Sequence, residues 1–258
     1  MNAAPLLQAD NVAVELGGRI IVHGAVLSLR AGELVALVGP NGAGKTTLVR
    51  ALAGLIPAQG DIAIAGRALA AMPMRERARR LAYLPQGHVF HWPMSAAAVV
   101  ALGRHPYADA FSPMSEYDRA AVRRALTATA TEELAERSVA TLSGGERARV
   151  ALARVLATEA AIVLADEPTV SLDPRHQLIV MQLLRGIAGG GAVLAIVHDL
   201  TLAARFADRV LVMDRGRIIA DAPPRQALSL QRIAQVFGVE AVSVDAGDGP
   251  LPLPRRPL

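Results

Sequence analysis

Between two apolar runs, Leu34 to Val38 and Leu48 to Leu52, the chain reads Gly39-Pro40-Asn41-Gly42-Ala43-Gly44-Lys45-Thr46-Thr47. A glycine, four residues, Gly-Lys and then Thr is the spacing of a phosphate-binding P-loop, and strand, glycine loop, helix is the context that spacing requires. This feature constrains the fold most, because it calls for a buried strand to carry the loop and a helix to begin at its end, hence an α/β core. Glycines let the backbone turn its N–H groups inward around phosphate oxygens, and the helix points the positive end of its dipole at the same anion. Lys45 is placed to reach the β- and γ-phosphates of a nucleotide, and the Thr46 hydroxyl to take one position on Mg²⁺. Lys45 is also the single lysine among 27 basic residues. A chain that uses arginine everywhere else keeps a compact ammonium at this one position, where a planar fork would fit badly.

The 258 residues suffice for one large α/β domain, and a hydrophobic fraction of 52% against 19% charged excludes a disordered chain. Only 3% of residues are aromatic, so the core must be aliphatic. A net charge of +4, scattered along the chain, is too small to signal nucleic-acid binding. The absence of cysteine removes disulfides and thiolate metal sites. The start, Met1 to Pro5, lacks a basic segment followed by an apolar one, and no apolar run approaches the roughly 20 residues that cross a bilayer. The expectation is a cytosolic protein whose membrane role comes through a partner.

Along the chain, alternation over Leu6 to Leu16, Gly17-Gly18 and Ile20 to Leu29 predict an antiparallel β subdomain ahead of the loop. Asp61 to Ala65 reads as a strand, Arg75 to Arg80 as a short helix, and Leu81 to Leu84 as a buried strand ending at Pro85-Gln86. Helical periodicity over Ser95 to Gly103 and Ser115 to Arg137 then predicts an inserted helical lobe, about residues 87–158. Strands at Ala161 to Ala165 and Ala192 to Val197, helices at Arg175 to Ile187 and Leu200 to Phe206, and a hairpin over Arg209 to Ala220 resume the β-α pattern. A helix, Leu230 to Phe237, precedes a proline-rich tail, 241–258, expected to be mobile.

Two further constellations carry chemistry. The apolar strand Ile162 to Ala165 ends in Asp166-Glu167, aiming one carboxylate at a metal and placing the other to deprotonate or orient a water. Ser143-Gly144-Gly145-Glu146 opens a helix and so offers free N–H groups to a second phosphate contact. The ordered set of P-loop, Gln86, Leu142-Ser143-Gly144-Gly145-Glu146, Asp166-Glu167, Ser171-Leu172-Asp173 and His198 resembles the ATP-binding subunit of ABC transporters over almost the whole chain.

That resemblance implies a single P-loop NTPase domain, 5–240, with ATP and Mg²⁺ bound in a head-to-tail homodimer. The P-loop of one copy (Gly39, Pro40, Asn41, Gly42, Ala43, Gly44, Lys45, Thr46 and Thr47) and Ser143 to Glu146 of the other would enclose each nucleotide. It implies metal contacts for Thr46, Gln86 and Asp166, catalytic roles for Lys45, Gln86, Glu167 and His198, and communication across the dimer for Asp173. Three departures stand out. Ala165 replaces a usual Leu, Ala148 a usual Gln, and Leu16 falls where the family stacks an aromatic on adenine, so weak selection between ATP and GTP is expected.

The segment Leu84-Pro85-Gln86, the cluster Phe90, His91 and Trp92, the run Val99 to Pro106, Leu172 to Gln177 and Val236 to Val239 resemble importers of iron-siderophore complexes, haem and cobalamin. The expected partners are polytopic permease subunits, with a periplasmic binding protein acting indirectly, and the expected place is the cytoplasmic face of the inner membrane. The aromatic cluster is expected at the permease contact. His88 and His91, without a carboxylate or thiolate beside them, are not a metal site, and cargo should not touch this subunit. The other readings are another importer or exporter ATPase, or an ABC ATPase acting on DNA or ribosomes. The latter usually carries a coiled-coil arm or two ATPase domains, and this sequence reads as neither.

Overall fold

A computed structural model describes residues 4–87, 93–109, 113–245 and 249–258. The chain begins with β1 (Leu7–Leu16) and β2 (Arg19–Leu29), joined at Gly17 and Gly18, both at positive φ. Alternation in β1 buries Leu7, Ala9, Val12 and Val14 and turns Gln8 and Glu15 outward; the period slips at Asn11, where φ is 51 and the strand bulges. β3 (Leu34–Val38) and α1 (Lys45–Leu52) follow, then β4 (Gln59–Ile64) and β5 (Arg67–Ala68), which complete an antiparallel sheet in the order β2-β1-β4-β5.

α2 (Met74–Arg80) leads into β6 (Leu81–Leu84), and three helices, α3 (Ala96–Ala101), α4 (Glu116–Ala128) and α5 (Gly144–Ala157), separate it from β7 (Ile162–Ala165). After these come α6 (Pro174–Gly190), β8 (Ala192–Ile196), α7 (Leu200–Phe206), β9 (Arg209–Asp214) and β10 (Arg217–Ala222). The main sheet has the order β10-β9-β3-β8-β7-β6, parallel except for the edge strand β10. Every residue of β3, β7 and β8 is buried, which is why they read as unbroken apolar runs. One face of this sheet packs on α1 and the antiparallel sheet, the other on α5, α6 and α7. The fold is the expected α/β P-loop core with an N-terminal antiparallel sheet and helices inserted between β6 and β7.

The inserted helices share a separate core of Ala96, Val99, Val100, Ala125, Leu126, Val150 and Ala153. At its margin Arg104 is 3% exposed, on a 3₁₀ turn at Leu102–Tyr107. Its guanidinium is matched by Asp118 at 2.7 Å, Glu159 at 2.9 Å and the Ala157 carbonyl at 2.8 Å, with the Tyr107 ring 3.9 Å away, so the buried charge is well partnered. The long helix expected from Ser115 to Arg137 stops at Ala128. The Thr129 hydroxyl folds back onto the Ala125 and Leu126 carbonyls, and Ala130 takes φ 50, which ends the helical run.

The proline-rich end is the main correction. After α8 (Pro224–Ala227) and α9 (Leu230–Phe237), β11 (Val239–Asp245) and β12 (Pro250–Pro257) pair antiparallel, in place of the expected mobile tail. Pro250, Pro252 and Pro254 recur at every second residue, so their missing donors fall on one edge of the strand and leave the alternate residues free to pair. On that edge the Pro252 carbonyl accepts a 3.0 Å bond from the Thr201 hydroxyl of α7, which fastens the hairpin to the core. The aromatic segment Phe90, His91 and Trp92, with His88, lies outside the described residues. Among the described residues no helix is long and apolar enough to cross a membrane.

Candidate functional site

Adjacent pairing of β3 with β8, and of β8 with β7, brings the C-terminal ends of three strands to one edge: Leu37 is level with Ile196, and Ala195 with Ala165. The P-loop leaves β3, Asp166-Glu167 leaves β7 and His198 follows β8, so residues more than a hundred positions apart meet there. Gly39 is required by packing, since a Cβ on it would lie 2.1 Å from the Met213 carbonyl oxygen. Gly42 and Gly44 take φ 78 and 95, which side chains with a Cβ rarely adopt.

An open cavity of about 710 Å³ lies against the loop, lined by Asn41 to Thr47, Ile21, Gln86, Glu167, Val170 and His198. Gly39 and Pro40 stand behind it, their carbonyls accepting 2.8 and 2.9 Å hydrogen bonds from Lys45 Nζ. Lys45 is 5% exposed. Burial pushes its ammonium below the ordinary lysine range, and the Glu167 and Asp166 carboxylates oppose that shift. The Thr46 hydroxyl donates to Asp166 Oδ1 at 2.9 Å. Asp166 is fully buried, its amide bonded to the Leu84 carbonyl at 2.9 Å and its Oδ2 accepting from the Tyr83 hydroxyl at 2.9 Å.

Glu167 holds φ 51, a conformation that costs a non-glycine residue about 1–2 kcal/mol and that clusters at functional sites. Its carboxylate lies between two partners: Gln86 Nε2 donates to Oε2 at 2.5 Å, and His198 Nε2 lies 2.7 Å from Oε1. A carboxylate, an amide and an imidazole are therefore joined beside the glycine loop. Thr46 and Asp166 present a pair of hard oxygens at the base of the same loop, a set that suits a small hard cation taking its other positions from phosphate and water. Among the described residues no cluster of three or more His, Asp or Glu could hold a metal without such help.

Ser143, Gly144, Gly145, Glu146 and Asp173 do not line this cavity. Ser143 caps α5 in a closed capping box: its hydroxyl accepts from the Glu146 amide at 3.3 Å, and Glu146 accepts from the Ser143 amide at 2.7 Å. Asp173 caps α6, accepting from the His176 amide at 3.0 Å while its other oxygen faces His176 Nδ1 at 2.7 Å. His176 in turn fills the space beside Gly145, where a Cβ would come within 2.5 Å of the imidazole. The helix start and the Asp173 turn thus form a second cluster, apart from the first.

The motifs do not single out Tyr83, whose only signal is its type: a hydroxyl on a buried strand must find a partner. Ile21 lines the cavity, Leu16 on the neighbouring hairpin is 45% exposed, and no aromatic residue lines the cavity among the described residues. Ala148 and Ala165 are both buried.

The family description ABC transporter matches residues 22–170. Over 240 residues, 91% of this chain and 85% of the relative, the chain is 45% identical to the hemin import ATP-binding protein HmuV of Streptomyces coelicolor. It is 41% identical over 257 residues to the cobalamin import ATP-binding protein BtuD of Halobacterium salinarum, covering 97% of this chain and 64% of that one. A solved dimeric ATP-binding cassette, in a post-hydrolysis state with ADP and phosphate, aligns with a TM-score of 0.74 at 27% identity, covering 85% of this chain and 99% of that one. Six ordered motifs, the strand-edge geometry that joins four of them, and similarity over nearly the full length lead to one conclusion: the chain belongs to the ABC transporter family.

Proposed function

We propose that the chain is the ATP-hydrolysing subunit of an importer for an iron complex (haem or a ferric siderophore) or cobalamin. It would act as a homodimer beneath polytopic permease subunits on the cytoplasmic face of the inner membrane, with a periplasmic binding protein engaged only through the permease. The observation that supports this reading best is the convergence of Lys45, Thr46, Glu167, Gln86 and His198 around one cavity, with Asp166 bonded to Thr46 beneath it. The names of the relatives, which import hemin and cobalamin, supply the cargo class.

In this reading the loop amides and Lys45 hold the β- and γ-phosphates, and Thr46, Asp166 and Gln86 hold Mg²⁺, which supplies charge neutralisation when bound. Gln86 orients a water against the γ-phosphorus, and His198 contacts the γ-phosphate. Glu167 accepts its proton as the water oxygen bonds to phosphorus and the bond to the ADP oxygen breaks. Ser143 to Glu146 have no nucleotide to touch within their own chain, so each copy would complete the pocket of a second, with Asp173 across the seam.

Purified with its permease in liposomes, the protein should hydrolyse ATP and accumulate one of labelled haem, ferric siderophore or cobalamin. Hydrolysis without accumulation of any of the three would remove the cargo assignment; no hydrolysis would remove the motor itself.

A further inference from the structure

Tyr83 lies on β6 in the middle of an otherwise aliphatic tetrapeptide, with its side chain on the α1 face of the sheet. It donates its proton to Asp166 Oδ2 at 2.9 Å, and the Arg50 guanidinium faces its oxygen. Arg50 sits on α1 four residues after Thr46, so the two project from one face of that helix, one above the other. Thr46 in turn donates to Asp166 Oδ1. The result is a pair of bonds that holds both Asp166 oxygens, one to Thr46 and one to Tyr83, with Arg50, on the same helix as Thr46, facing the phenol.

This geometry does more than satisfy a buried hydroxyl. A carboxylate held at one oxygen can still rotate about its Cβ–Cγ bond, whereas one held at both oxygens presents its remaining lone pairs in fixed directions. Resting on the ATPase reading, we propose that Tyr83, braced by Arg50, is a positioning residue that locks the Asp166 carboxylate so that Oδ1 and Thr46 Oγ1 are presented together to the nucleotide-bound Mg²⁺. Tyr83 touches neither metal nor nucleotide; it acts through Asp166, as the outer partners of metal ligands do elsewhere.

The test uses the full chain, with Tyr83→Phe and Arg50→Gln beside the unaltered protein. Binding of a fluorescent ATP analogue is measured in EDTA and then over a Mg²⁺ titration, alongside the hydrolysis rate at each Mg²⁺ concentration. Tyr83→Phe should leave the affinity in EDTA within about twofold, raise the half-saturating Mg²⁺ concentration roughly tenfold and keep the rate at saturating Mg²⁺ within about threefold. Arg50→Gln, on an exposed helix face and safe for folding, should move Mg²⁺ dependence in the same direction by about threefold.

A merely structural tyrosine would weaken binding equally with and without metal, or lower the rate at every Mg²⁺ concentration; either result overturns the proposal. So does an unchanged Mg²⁺ curve in both variants. If the unaltered protein shows no Mg²⁺-dependent nucleotide binding, the ATPase reading falls first, and that outcome is visible without either variant.

Discussion

The P-loop cluster and the Ser143 cluster each lie at the start of a helix, yet they are built in opposite ways. At the P-loop, the bonds that arrange the site join distant parts of the chain: Thr46 to Asp166 across 120 positions and Gln86 to Glu167 across 81. At the helix start, the bonds of the capping box span three residues. The first site is a product of the parallel sheet and exists only when the sheet does. The second is complete as a local helix cap, and none of its residues lines its own chain's cavity. One cluster is assembled by folding; in the proposed dimer, the other would be brought to its ligand by a second molecule.

The largest effect is expected from Glu167→Gln. Loss of a general base lowers a rate by about 10²–10⁴-fold, and hydrolysis should fall by that factor while nucleotide binding stays. With ATP, the variant should run as a dimer in light scattering. Adding Ser143→Arg to the same chain should return it to a monomer that still binds nucleotide. If Ser143→Arg abolishes binding by the monomer, the two clusters are not separate and their opposition is wrong.

Lys45→Ala comes next. Its ammonium makes charge-assisted contacts worth about 1.5–3 kcal/mol each, so two phosphate contacts predict an affinity loss of roughly a hundredfold or more in the monomer, measured by fluorescent-nucleotide titration. The variant should fail to dimerise with ATP for lack of nucleotide, whereas the Ser143 variant fails with nucleotide in place. Equal affinities for Lys45→Ala and the unaltered chain would remove Lys45 from the site.

A smaller effect concerns the base. With Ile21 at the cavity and no aromatic residue lining it among the described residues, ATP and GTP should bind and turn over at comparable rates. Leu16 is exposed on the β1–β2 hairpin, so Leu16→Tyr offers a stacking surface without disturbing the core. Stacking on an aromatic is worth about 1–3 kcal/mol per base, and the substitution should tighten ATP by roughly fivefold or more. A strict preference for ATP in the unaltered chain would show that the base is read by other contacts.

Legibility in the sequence follows the same division. The P-loop, Asp166-Glu167 and His198 can be placed from residue order alone, because a parallel sheet always delivers strand ends to one edge and each motif sits at such an end. The capping box is readable because its chemistry is local. Tyr83 is not, since its role depends on which strand lies beside β7, and nothing in Leu81-Ala82-Tyr83-Leu84 states that. Arg104 is hidden for the same reason: its partners, Asp118 and Glu159, belong to later segments. The tail differs from expectation because proline content argues for mobility while proline spacing argues for a strand. Three prolines at alternate positions are compatible with an edge strand, whereas the same number in a row is not.

The smallest effect tests whether the local half stands by itself. Ser143→Ala removes a helix cap worth about 1 kcal/mol, which for a chain of this size lowers the melting midpoint by about 2–4 °C. This loss should shrink a little on acidification, because the Ser143 hydroxyl is one of the groups that favour the ionised Glu146 carboxyl. Glu146→Ala should lower it by a similar or smaller amount, but with the larger pH signature. The Glu146 carboxyl is held below its ordinary value, near 4.5, first by the Ser143 amide and then by the Ser143 hydroxyl and nearby arginines. A carboxyl depressed in the folded state stabilises above its unfolded value and loses that contribution as the pH falls through the folded one. The deficit of Glu146→Ala relative to the unaltered chain should therefore be full at neutral pH and shrink on acidification below that range. Measured without nucleotide, both shifts should be the same whether Lys45 is intact or replaced by alanine, because local caps and a tertiary site separated in space contribute additively. A non-additive pair would mean that the helix start senses the P-loop within one chain, and the two half-sites would then be a single unit before any partner arrives.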